Sequence, residues 1–121
     1  MKVFSTHFVL KGKSDYKDLA PVFPDILKAL LSEIGQMPEE EEILQMFIEM
    51  NMVDLERNRK PEGYNRKGKM RLIFPIDRKE FYLKTYNKST DMSRMADLIS
   101  GLLNTANVKF EILHNDRTDF D

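Results

Sequence analysis

Two kinds of apolar periodicity alternate along this chain, and their order restricts the fold more than any single motif does. Over residues 2–10, Phe4, Thr6, Phe8 and Leu10 fall on one side and Val3, Ser5, His7 and Val9 on the other. That two-residue repeat is a strand with its more apolar face inward. Gly12 and Ser14 close it, and Ser14 and Asp15 suit the cap of a short turn. Pro21 and Pro24 forbid one continuous helix through the next segment, because proline removes a donor and clashes with the preceding turn. Pro24 and Asp25 instead open a helix running to about Ile34, with Ile26, Leu27, Leu30, Leu31 and Ile34 as its apolar stripe. Gly35 stands where a left-handed C-terminal cap belongs.

Pro38 is expected to start a second helix, with Glu39 to Glu42 in its first turn and an end near Glu56 or Arg57. Its apolar residues form two sets. Ile43, Met46, Phe47, Met50 and Val53 make one stripe, and Leu44, Ile48, Met52 and Leu55 extend it. A helix apolar over more than half its circumference lies at the centre of the core or is covered by a partner. Residues 70–76 and 80–86 then read as a hairpin, with Leu72, Phe74 and Ile76 facing as Phe81, Leu83 and Thr85 do. Pro75 favours an edge position for the first of these strands. Ser89, Thr90 and Asp91 offer caps for a helix carrying Met95, Leu98, Ile99, Leu102 and Leu103, which ends over 104–107. Val108, Phe110 and Ile112 make the last strand, and residues 115–121 form a polar tail.

Strand, two helices, two strands, helix, strand is the βαββαβ order of ferredoxin-like folds with an extra helix in the first crossover. The expectation is one α+β domain over residues 1–114. It has a four-stranded antiparallel sheet, helices on one face, and strands one and three in the middle. An irregular α+β domain is the competing reading, since the long first crossover departs from the plan.

Charge is concentrated. Of 19 basic and 20 acidic residues, the segment 57–71 holds seven (Arg57, Arg59, Lys60, Arg66, Lys67, Lys69, Arg71) and one (Glu62). A chain of net charge −1 is therefore a basic loop on an acidic body, which implies an anionic partner. On the proposed sheet, the face away from the helices carries Ser5, His7, Tyr82, Lys84 and Tyr86. Rings that stack bases beside cations that meet phosphates suit RNA or single-stranded DNA. That reading assigns Arg57, Arg59, Lys60, Arg66, Lys67, Lys69 and Lys84 to the backbone and Tyr64, Tyr82 and Tyr86 to the bases. The consensus of RNA-recognition sheets is absent, because RKEFYLKTY lacks its small residues. No family membership follows. The acidic remainder disfavours duplex DNA.

The second reading is a protein-binding adaptor or inhibitor, self-association included. It uses Met46, Phe47, Met50 and Met52 as an adaptable apolar surface. Against both stands the plain alternative that the methionines fill the core and the loop is a solvated connector. Catalysis is not expected. His7 and His114 fall on opposite faces, and no nucleotide-binding, nucleophile-elbow or zinc-protease motif occurs. With no cysteine, and with Asp15/Asp18 and Asp77/Glu80 only local pairs at turns, no metal or cofactor is expected. No segment has the uninterrupted apolar length of a membrane span, and a cytoplasmic location is expected.

Overall fold

The computed structural model describes residues 3–66, 68–86 and 90–115. In chain order the elements are β1 (Phe4–Leu10), a 3₁₀ turn (Tyr16–Leu19), α1 (Phe23–Glu33), α2 (Glu41–Glu56), β2 (Arg71–Ile73), β3 (Glu80–Thr85), α3 (Thr90–Thr105) and β4 (Phe110–Asn115). The strands form one antiparallel sheet in the order β2-β3-β1-β4, so β1 and β3 are central and β2 and β4 are edges. The protein is of the α+β class.

Register decides which face becomes the core. Phe8 pairs with Phe81 and Ile112, and Leu72 with Leu83. One face of the sheet is thereby apolar across all four strands. Phe8, Leu72, Phe81 and Leu83 join Leu27, Leu30 and Leu31 of α1, Leu44, Ile48 and Leu55 of α2, and Ile99 and Leu103 of α3 in a single cluster. Phe8 and Phe81 stack at 5.0 Å between ring centroids.

All three helices stop in the same way. After each, one residue enters the left-handed region: Gly35 (φ 71), Asn58 (φ 57) and Asn107 (φ 59). The next amide then reaches back to the last turn, Gln36 N to Leu31 O at 2.9 Å, Arg59 N to Asp54 O at 2.8 Å and Val108 N to Leu103 O at 3.0 Å. Glycine and asparagine suit the turn because positive φ strains them less than it strains residues with other side chains.

Several boundaries differ from expectation. α2 begins at Glu41, with Glu40 extended before it, because the chain stays non-helical past Pro38; only Glu41 and Glu42 occupy the first turn. β2 is three residues long, since Pro75 has no amide to continue the pairing, although Phe74 stays buried on the core face. β4 begins at Phe110 and runs through Asn115, one residue into the expected tail. Ser89 lies outside the described residues, as do the side chains of Thr90 and Asp91.

Asp15 caps the 3₁₀ turn and ties distant segments together. Its carboxylate accepts from the Tyr16 amide at 2.8 Å, from Asn58 Nδ2 at 3.2 Å and from Lys79 Nζ at 2.9 Å. Burial alone would raise its pKa. The hydrogen bonds and the Lys79 charge outweigh that effect and hold the carboxyl below its ordinary range. Its contribution to stability is therefore complete above the usual carboxylate pKa and is lost as pH falls through the depressed value. Asp15→Ala is expected to lower stability by about 1 kcal/mol at neutral pH, read as a smaller urea midpoint, with less loss in acid.

Candidate interaction surfaces

α2 carries two seams. Leu44, Ile48, Asn51 and Leu55 are spaced four, three and four residues apart and are buried. Ile43, Met46, Met50 and Val53 are spaced three, four and three apart, which places them roughly 150° around the helix at 100° per residue. They stay in solvent: Met46 is 50% exposed, Val53 47% and Met50 45%. The core takes the first seam because α1 and the 3₁₀ turn pack against α2 on that side. Met46, Met50 and Val53 form a shallow, open apolar surface on the exposed side together with Glu42, Gln45 and Glu49. Of the four residues expected at a protein interface, Met46 and Met50 are therefore presented. Phe47 and Met52 are half-buried against the core.

Asn51 is a buried polar residue on α2 that sequence reasoning passed over. Its Oδ1 accepts from the Gly63 amide at 2.7 Å and its Nδ2 donates to Phe47 O at 2.9 Å, so it clamps the basic loop onto the helix. The sequence signal was an asparagine in the middle of the Leu44–Ile48–Leu55 seam. Beyond it, Tyr64 and Leu72 exchange backbone hydrogen bonds at 2.8 and 2.9 Å, adding one residue of the loop to the sheet edge beside β2. Arg57, Arg59, Arg66 and Lys69 are exposed, while Lys60 is half-buried. Arg59 reaches Asp54 at 3.2 Å, and the Arg66 guanidinium lies 4.7 Å from the centroid of the Phe47 ring. Lys67 lies outside the described residues.

The expected base-stacking surface is corrected by burial. Tyr64 is 7% and Tyr82 5% exposed. The Tyr64 ring packs edge-on to Phe47 and its hydroxyl donates to Gln36 Oε1 at 2.8 Å, because the bridge to Leu72 draws it inward. Tyr82 stacks on His7 at 4.6 Å. Tyr86 alone of the three is at the surface, with Lys84 Nζ 5.5 Å from its ring.

The face of β1 and β3 away from the helices holds a buried polar chain where solvent-facing residues were expected. Ser5 Oγ and His7 Nε2 are 2.8 Å apart, and His7 Nδ1 is 2.6 Å from Glu80 Oε2. With Nδ1 as the donor to the carboxylate, Nε2 is left to meet the serine hydroxyl. The order carboxylate, imidazole, hydroxyl is that of a relay which activates a nucleophile. Here Ser5 is buried, and the three groups satisfy one another as interior polar groups must. His114 lies on the opposite face, 3.1 Å from Thr6 Oγ1. Among the described residues, no helix is long and apolar enough to cross a membrane.

No family model matches this chain, and neither a curated protein nor a solved structure does. The interaction surfaces therefore have to be read from their own chemistry.

Proposed function

We propose that this domain is a non-catalytic protein-docking module, an adaptor or inhibitor, that engages its partner through the exposed seam of α2. One observation carries the reading: Ile43, Met46, Met50 and Val53 stay in solvent on a helix whose opposite seam already fills the core. An apolar stripe that folding leaves uncovered is surface available for association. Methionines suit the task because their flexible, polarisable side chains adapt to a partner. The frame holding α2 is read as ferredoxin-like with an inserted helix. Support comes from the strand order, which from the other edge is β4-β1-β3-β2.

Photo-crosslinking from position 53 is the direct test. A specific adduct is expected that survives high salt and disappears with Met50→Glu, while circular dichroism stays unchanged. Adduct formation indifferent to that substitution sinks the reading.

The basic loop supports a second reading, phosphate contact with RNA or single-stranded DNA, because Arg57, Arg59, Arg66 and Lys69 are exposed together. It ranks behind the first because Tyr64 and Tyr82 are buried. If it holds, a labelled single-stranded RNA binds at about 50 mM salt, weakens steeply by about 200 mM, and is released by Arg66→Glu.

A further inference from the structure

We infer that the occupant of the α2 seam is a basic amphipathic helix of another protein, and not a second copy of this chain. The inference rests on the docking reading and adds the partner's chemistry. Ile43, Met46, Met50 and Val53 have the spacing of the a and d positions of a heptad, the pattern by which one helix receives another along its length. From Ile43 to Val53 the seam is roughly 15 Å long, about three turns of a partner helix.

The two walls of the seam differ. On one side Glu42, Glu49 and Glu56 recur every seven residues, all exposed, and none forms an ion pair among the described residues. On the other, Arg59 pairs with Asp54 and Arg66 covers Phe47, so that wall is already neutralised. The whole segment from Glu39 to Glu56 holds seven carboxylates and no Lys or Arg.

That charge selects the occupant. In an antiparallel two-fold pairing of α2 with itself, Glu49 would face Glu49, and Glu42 would face Glu56. In a parallel one, Glu49 would face Asp54, whose charge Arg59 already meets. Both settings bring like charges together or leave the acidic wall unanswered. Lysines or arginines flanking the apolar stripe of a foreign helix would answer all three glutamates. The methionines tolerate many apolar stripes, so discrimination falls to the charged wall.

The test uses the full chain and two synthetic helical peptides of about 18 residues, long enough to hold helix when docked. One has a leucine face flanked by lysines, and the other has the same face flanked by glutamates. Anisotropy titrations at about 150 mM salt are run beside sedimentation of the protein alone. The expected result is a monomer that binds the lysine peptide at least about tenfold more tightly than the glutamate peptide. Met46→Ser with Met50→Ser should weaken that binding about tenfold or more, since both side chains lose their apolar contact. Glu42→Lys with Glu49→Lys and Glu56→Lys should reverse the preference. All of these positions are exposed, and circular dichroism checks each variant.

Equal binding of both peptides, lost in the serine variant, would overturn the charge selection and leave the docking reading standing. A dimer dissociated by the serine variant would make a second copy the occupant, with the same consequence. Lysine-peptide binding unchanged in the serine variant would mean adhesion to acidic surface elsewhere and would overturn the inference. A monomer that binds neither peptide would remove the inference and the docking reading together.

Discussion

Glu80→Ala is expected to destabilise the domain by about 3 kcal/mol, because it removes the buried carboxylate that the His7 Nδ1 bonds. The bond it removes, 2.6 Å long, joins residues on neighbouring central strands. Ser5 bonds the same ring, so the loss reaches both of the remaining interior groups. Equilibrium urea unfolding measures it, as a lower midpoint at unchanged slope. Glu80→Gln separates geometry from charge. Its amide oxygen can still accept from Nδ1, so it should recover a large part of the loss. If alanine and glutamine variants were both as stable as the parent, the chain of Ser5, His7 and Glu80 would contribute nothing to folding.

Gly63→Ala should have the next largest effect. Gly63 has φ of 73°, and a methyl group there would sit 2.5 Å from the backbone oxygen of Leu72. Positive φ and a collision with backbone act together, for an expected loss of about 2–3 kcal/mol. The damage is local in the first instance: hydrogen exchange at the Tyr64 and Leu72 amides, which bond each other's strand, should accelerate before that of β1 and β3. Gly12→Ala is the matched control. It has a similar φ of 60° but nothing within 4 Å of the new carbon, so only the backbone strain remains.

Some of this structure is legible in the chain because the signals are local. The alternation in β1, the proline-opened α1 and the left-handed cap at Gly35 each depend on residues a few positions apart. α2 shows where local signals end. Its two apolar seams are both visible in the sequence, but which of them meets the core is decided by where α1 and the 3₁₀ turn lie, and no residue within α2 encodes that. The misplaced start of α2 has a similar cause. Pro38 permits a helix to begin, and the extended Glu40 postpones it. In the sequence the sheet face around His7 has a solvent-facing pattern, because serine, histidine and tyrosine alternate with larger apolar residues. The carboxylate that His7 bonds there belongs to Glu80, which is 73 residues away and meets it only through strand pairing. Burial of Tyr64 was equally hidden, since it follows from a single bridge to Leu72.

The basic loop is fastened at four points along its first half: Asn58 to Asp15 and to the Lys17 amide, Gly63 to Asn51, and Tyr64 to Leu72. Fixing a free backbone takes about 1–2 kcal/mol of entropy per residue. For residues 58–64 that loss is incurred when the domain folds, so an arriving ligand does not have to supply it. Arg59 and Lys60 fall inside that span, so whatever meets them meets charges carried on a backbone whose path is already set.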